Sequence, residues 1–279
     1  MRPPLPDRCL VMGIVNRTPD SFYDGGRMTV RDSVDHALRL VDEGADIIDL
    51  GGVKAGPGAP VSGQEELARL LPLVETLASR VTVPLSVETA SPLLARRLVA
   101  AGASLVNDVS GLASPELADV CAASGAMIVL MHHVGQIRGR PRHPRYVDVV
   151  EEIARTWSAL AEQAIARGIA REQIIVDPGL DFGKTTWHSL ELMRRLDELV
   201  GHGWPVLVAP SNKDVVGETL GVPLDERLEG TLALVALSVL KGAAIVRVHE
   251  VGAAVRTVAM VEAVSGRRAP TAPIRGLWE

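Results

Sequence analysis

Cys9–Gly26 reads C-L-V-M-G-I-V-N-R-T-P-D-S-F-Y-D-G-G, and its first seven residues, Cys9 to Val15, form an unbroken apolar run. Such a run suits a strand buried on both faces. It stops at Asn16, and the turn-formers Pro19, Asp20, Gly25 and Gly26 follow. A buried strand therefore delivers an amide side chain to a polar loop. Taken by periodicity alone, the stretch reads equally well as an ordinary strand and turn.

Downstream, short β-branched runs alternate with segments of helical period. Helices are predicted over Thr29–Glu43, Gln64–Ser79, Pro92–Ala101, Pro115–Ser124, Val147–Arg167, Trp187–Val200, Leu224–Leu240 and near Ala253–Val264. Strands are predicted at Asp46–Leu50, Pro84–Val87, Leu105–Val106, Met127–Met131, Ile174–Val176, Pro205–Val208 and Ile245–Val248. Pro92 and Pro115 suit first-turn helix positions, with Ser91 and Ser114 as N-caps. Each β-run is followed by a helix at roughly 30–35 residues per unit, the spacing of a (β/α)8 TIM barrel. A doubly wound open sheet is the runner-up. The strand ends favour the barrel, because the apolar runs finish at or just before Asn16, Gly51, Glu88, Asn107, His132, Asp177, Ser211 and His249. In a barrel these converge on one rim, where active sites sit; in an open sheet they would be strung along an edge.

At 279 residues the chain has the length of one α/β barrel, so residues 1–279 are expected to form a single domain. The net charge of -5 argues against a general nucleic-acid surface and for a small-molecule ligand. No segment reaches the roughly 18 uninterrupted apolar residues that span a bilayer. Met1–Arg8, with three prolines, lacks the apolar centre of a secretion signal, so a cytoplasmic location is expected and no membrane contact. Cys9 and Cys121 have no metal-type spacing and read as core residues. Gly135–Arg145, with four arginines and two prolines, reads as an exposed loop.

Arg247 and His249 lie two apart near the end of the last strand and so face the same way, while Asn16 closes the first strand, its neighbour in a closed barrel. Together they could form a corner for pyrophosphate and Mg²⁺: Arg offers a bidentate phosphate contact, and Mg²⁺ takes oxygen ligands plus phosphate. A barrel-filling arginine satisfied by carbonyls and a capping histidine is the alternative. A second group is acidic and amidic: Glu88, Asn107, Asp108 and Asp177, with Lys213. A carboxylate, an amide and a lysine can satisfy the donors and acceptors of a flat heterocycle. Alternatively, Asp108 and Ser110 close a turn and Asp177-Pro178-Gly179 is ordinary strand-end chemistry. Gly179-Leu-Asp-Phe-Gly183-Lys184-Thr185 is not a phosphate loop, because that motif requires four residues before Gly-Lys and here there are three. His132 and His133 lack a metal-spaced acidic or cysteine partner.

The loop N-R-T-P-D-S-F-Y-D-G-G resembles the N-x-T-P-D-S-F-S-D-G-G signature of dihydropteroate synthases, and D-P-G-L-D-F-G-K-T resembles that family's D-P-G-x-x-F-G-K-T segment. With N-D-V-S-G, S-N-K and R-V-H, the likeness covers Met12 through His249. It implies a TIM barrel that condenses a dihydropterin methyl diphosphate with 4-aminobenzoate on the route to folate. It further implies Asn107, Asp177, Lys213 and Glu88 as pterin contacts. Arg247 and His249 would hold the diphosphate, with Asn16 as ligand to Mg²⁺. Family members dimerise through outer helices, and Leu232–Leu240, apolar almost all round, suggests a homodimer here.

Departures fall on ligand-contacting positions. Where the family has G-G-E-S-T-R-P-G, Gly51–Gly58 reads G-G-V-K-A-G-P-G, with Ala55 in the threonine slot and Gly56 in the arginine slot. Glu88 replaces an aspartate and Asn212 an arginine, while Lys54 could partly compensate. The expectation is a divergent paralogue with weakened synthase activity. The alternative is a catalytically inactive pterin- or phosphate-binding protein with another role. A pterin-dependent methyltransferase is disfavoured by the T-P-D-S-F loop.

Overall fold

Eight parallel strands run side by side in the order β6-β5-β4-β3-β2-β1-β8-β7. The structure is a computed structural model that describes residues 5–17, 29–53, 61–135 and 143–275. The strands are β1 Leu10–Asn16, β2 Ile47–Gly51, β3 Leu85–Glu88, β4 Leu105–Asp108, β5 Met127–Met131, β6 Ile174–Asp177, β7 Leu207–Val208 and β8 Ile245–Val248. A parallel bridge between Val176 and Val206 joins β6 to the start of β7 and closes the barrel. Ten helices lie among the described residues: α1 Val30–Asp42, α2 Gly63–Ala78, α3 Pro92–Ala100, α4 Glu116–Ser124, α5 Val149–Ala166, α6 Thr186–Arg194, α7 Leu196–Val200, α8 Asp214–Leu220, α9 Leu228–Leu240 and α10 Val251–Val264. The expected (β/α)8 barrel is thus the observed fold.

Two apolar layers hold it. The outer one, between strands and helices, includes Val11, Val15, Ile48, Leu50, Val87, Val106, Ile128, Leu130 and Val176. The inner one fills the barrel with Leu10, Met12, Ile47, Leu105, Val129, Ile175, Leu207, Ala209 and Ile245. Successive residues of a strand face opposite sides, which is why each strand needs apolar residues at both parities.

Local departures from the sequence reading have visible causes. Ser91 does cap α3, accepting from the Leu94 N–H, with Pro92 in the first turn. Pro115 itself occupies the cap position of α4, which has no side-chain cap, so Ser114 does not serve there. The predicted helix Trp187–Val200 is two helices, broken at Arg195, whose guanidinium pairs with Asp148 and Glu198. The short helix α8 was not expected. Burial pushes the Cys9 and Cys121 thiols up to about 12, as suits core residues. Among the described residues no helix is long and apolar enough to cross a membrane. Thr18 to Gly26 of the first loop, Lys54, Ala55 and Gly56 of the second, and 136–142 of the arginine-rich loop lie outside the described residues.

Candidate active site

Period two along the strands builds the site directly on the inner apolar layer. Two residues beyond Ile47, Leu105, Ile175 and Ile245 come Asp49, Asn107, Asp177 and Arg247. Each polar residue therefore shares its barrel-lining parity with the apolar residue beneath it.

Asp49 is the hub. It is fully buried and accepts hydrogen bonds from the Ser86 hydroxyl, from Asn107 Nδ2 at 3.2 Å and from Arg247 Nε at 2.7 Å. These partners come from β3, β4 and β8. The Arg247 guanidinium also donates from Nη2 to Glu88 at 2.9 Å, so it stands between two carboxylates. Burial alone would lower the Arg247 pKa, but Asp49 and Glu88 outweigh that and raise it. Burial drives the Glu88 carboxyl up to about 7, with Arg247 opposing and Asp49 reinforcing the shift.

Across the barrel, Asp177 accepts from the Gly179 N–H at 2.7 Å, and burial raises its pKa against that bond. Gly179 has φ +65, and a Cβ there would run into the His132 carbonyl, so only glycine brings this turn so close to β5. Lys213 lies with its ammonium 4.3 Å from the centre of the Phe182 ring, a cation–π contact. Burial lowers its pKa, opposed by Asp181 and Asp177. Lys184, of the motif rejected above as a phosphate loop, is turned inward. Its ammonium meets His132 Nδ1 at 2.9 Å, the Gly179 carbonyl at 3.0 Å and the Phe182 carbonyl at 3.1 Å. It staples the loop after β6 to the end of β5. Burial and that neighbouring ammonium hold His132 down at about 3.

His249 follows β8 and pairs through Nδ1 with the Ser211 hydroxyl at 2.9 Å, while Ser211 also reaches Glu250 at 3.2 Å. Burial takes the His249 pKa down to about 4, so the imidazole is neutral at pH 7. Asn16 ends β1 beside Gly51, where a Cβ would lie 2.6 Å from the Asn16 Oδ1. That approach explains why residue 51 is glycine. Asp108 takes the plainer of its two readings: it accepts from the Ser110 and Leu112 N–H groups and closes a turn.

Glu88, Asn107 and Arg247 are thus gathered round Asp49, while Asp177 at the end of β6 and Lys213 at the start of α8 interact electrostatically. The corner foreseen for Asn16, Arg247 and His249 is arranged differently, for Arg247 is bonded to the acidic floor and His249 to Ser211. Ser211, one of the strand-end residues expected on the rim, joins the site through His249, whereas Asp49 and Phe182 are members that the strand ends do not mark. Asp49 had a usable signal, a lone carboxylate inside I-I-D-L at the parity of Ile47.

The pattern of the pterin binding enzyme family matches residues 12–249. The chain belongs to this family. A Mycobacterium leprae protein named inactive dihydropteroate synthase 2 is 50% identical, the match covering 99% of this chain and 97% of the relative. The Escherichia coli dihydropteroate synthase is 40% identical over 91% of this chain and 90% of its own. Among solved structures, a Yersinia pestis dihydropteroate synthase in a sulfonamide complex superposes with a TM-score of 0.89 at 39% identity, covering 94% of this chain and 95% of that one. A Xanthomonas albilineans dihydropteroate synthase in complex with 7,8-dihydropteroate gives 0.83 at 39%, covering 96% and 95%. The pterin binding enzyme fold, the dihydropteroate synthase type and the kinship with a paralogue named inactive are therefore findings, and they agree with the divergence read from the loops.

Proposed function

We propose that this protein keeps the pterin-facing floor of a dihydropteroate synthase and has lost most of its grip on the reacting diphosphate, so that pterin binding outlasts synthase turnover. The carrying observation is the contrast between the floor and the loops. Asp49, Glu88, Asn107 and Arg247 form one hydrogen-bonded cluster, whereas the second loop carries Ala55 and Gly56 in the slots of a threonine and an arginine.

In the reaction, 4-aminobenzoate displaces diphosphate from a dihydropterin methylene diphosphate. With Asn107 Nδ2 committed to Asp49, its amide oxygen is left to accept from the pterin edge. Asp177 supplies a second acceptor and Lys213 a donor. As a carbocation-like transition state develops, the carboxylates of Asp177 and Glu88 favour positive charge on the ring. His249, just past the end of β8, neutral and tied through Nδ1 to Ser211, would contact the leaving diphosphate. Mg²⁺ suits this corner: the Asn16 amide oxygen is a hard ligand in a cradle that glycine keeps open, and the diphosphate would complete the set. When bound, the ion would neutralise charge on the leaving group. Among the described residues no group of three or more His, Cys, Asp and Glu is arranged to hold a metal, so Asn16 and the substrate would share it.

The test is a steady-state assay of dihydropteroate formation beside calorimetry with pterin diphosphate and 4-aminobenzoate. Each missing charge-assisted contact is worth about 1.5–3 kcal/mol, or roughly a ten- to 150-fold loss of rate for the arginine alone. A combined Ala55→Thr, Gly56→Arg, Glu88→Asp variant should gain rate. A wild type with the full rate of a complete family member sinks the proposal. The M. leprae relative's name favours the second reading, a silent pterin- or phosphate-binding protein, which predicts binding with no turnover even in the restored variant. We also propose a homodimer through α9 and α10, because Leu240 and Met260 are 60% and 64% exposed beside the surface residues Leu232, Ala236 and Val261. A monomeric mass in sedimentation at micromolar concentration would refute the dimer.

A further inference from the structure

Arg247 uses its Nε and Nη2 groups on two different carboxylates, Asp49 at 2.7 Å and Glu88 at 2.9 Å. Those two nitrogens form the side-on edge with which a guanidinium makes a parallel, bidentate contact to a single phosphate or carboxylate. The two carboxylates have different standing. Asp49 accepts from three donors and is fixed in the floor, while Arg247 is the one hydrogen-bond partner of Glu88 among the described residues. In the sheet, β2 and β1 separate β3 from β8, so the Glu88–Arg247 contact crosses the barrel interior. Only a long acidic side chain spans it. An aspartate on the same backbone is about 1.5 Å shorter, which would stretch a 2.9 Å contact beyond hydrogen-bonding distance.

We propose that Glu88 is a built-in competitor for Arg247, an intramolecular anion that occupies the edge which a diphosphate, or another phosphate-bearing ligand, would otherwise take. The proposal rests on the reading of Arg247 as a diphosphate contact, and goes beyond it by assigning the loss of anion grip to Glu88 as well as to the altered second loop. The charge balance agrees. Two carboxylates already share one guanidinium, with Lys213 and Glu66 the other charges that act on Glu88, so an incoming anion must displace Glu88 rather than add to the cluster. Burial keeps solvent from loosening the Glu88–Arg247 pairing, because the two side chains are only 9% and 15% exposed.

Calorimetric titration of the full chain with inorganic pyrophosphate, at one pH above the Glu88 titration, tests this on the wild type and on Glu88→Gln, Glu88→Asp and Arg247→Gln, with thermal melts showing that each variant is folded. Freeing one charge-assisted contact should tighten pyrophosphate binding by at least about tenfold in both Glu88 variants. The gain should vanish when Arg247→Gln is added to Glu88→Gln. Glu88 variants that bind no tighter than the wild type, while Arg247→Gln weakens binding, would overturn the competitor and leave the diphosphate reading standing. An Arg247→Gln variant that binds like the wild type would remove Arg247 from the anion site and both ideas with it. Absence of measurable heat in every variant also overturns the proposal, whereas heat appearing only in the Glu88 variants supports it.

Discussion

Replacing Asp49 by alanine and by asparagine should produce very different losses, and the difference tests whether this carboxylate organises the floor. In Asp49→Ala, Asn107 Nδ2 and Arg247 Nε lose their acceptor and the Ser86 hydroxyl loses its own. A buried donor left without a partner costs about 1–3 kcal/mol, and the hydroxyl can turn to soften its share. Arg247 keeps Glu88, so its charge is not wholly uncompensated. The sum is about 3–6 kcal/mol, in line with the 3–5 kcal/mol typical of breaking a buried pair. In Asp49→Asn, one amide oxygen can still serve Asn107 and Arg247 while the NH₂ donates to a rotated Ser86 hydroxyl. Only the charge is lost, about 1–1.5 kcal/mol, the difference between charge-assisted and neutral hydrogen bonds. Urea unfolding followed by circular dichroism and by tryptophan fluorescence would read both values from midpoints at common slope. The reasoning fails if alanine costs less than about 1 kcal/mol, or if the two variants fall within about 0.5 kcal/mol of each other.

Asp177→Asn should abolish pterin binding with little loss of stability, since an amide oxygen can still accept from the Gly179 N–H; unchanged calorimetric affinity would remove Asp177 from the site. Because burial raises the Glu88 pKa in the folded protein from 4.5 to about 7, the native state holds a proton there that the unfolded chain releases. That contribution to stability is present below about pH 4.5 and fades as pH rises towards 7, opposite in sign to His249, whose lowered pKa adds stability as pH rises above about 4. The stability difference between Glu88→Gln and the wild type, measured across this window, should therefore shift in favour of the variant as pH rises, and a flat difference would contradict the assignment. Lys184→Met should cost about 2–4 kcal/mol by orphaning two loop carbonyls, yet leave pyrophosphate affinity unchanged; a matching loss of affinity would mean that the lysine serves the anion after all.

The barrel was legible because one short pattern recurs around the chain, and each recurrence corrects an error in another. What escaped is what repetition does not encode. The helix α8, seven residues with Gly217 inside, is too short to show a period, and nothing in the periodicity of Trp187–Val200 marks the break at Arg195. The strand-end residues were readable from where apolar runs stop. Asp49 does not stand out by that signal because it lies inside its run, two residues before Gly51, and only the parity it shares with Ile47 marks it as facing the barrel interior. The partners of Arg247 were beyond reach for another reason. Its long side chain can turn towards the rim or the floor, and the choice depends on carboxylates brought in from β2 and β3.

Position 212 indicates how such a protein can lose catalytic grip without losing its fold. Asn212 sits at φ 59, in the left-handed region that asparagine tolerates better than most residues. Its N–H donates to the Thr231 hydroxyl at 3.4 Å, and its carbonyl accepts from Arg227 Nη1 at 2.9 Å. Both partners belong to α9 or the residue before it, so the backbone is held in place whatever side chain it carries. Exchanging the family's arginine for asparagine there removes a positive charge and suits the left-handed backbone. Asp49, by contrast, cannot be cut back to an apolar side chain without orphaning donors on three strands. Loss of function would therefore accumulate on the loops and at the one floor position, Glu88, where an added methylene strengthens an ion pair instead of breaking one.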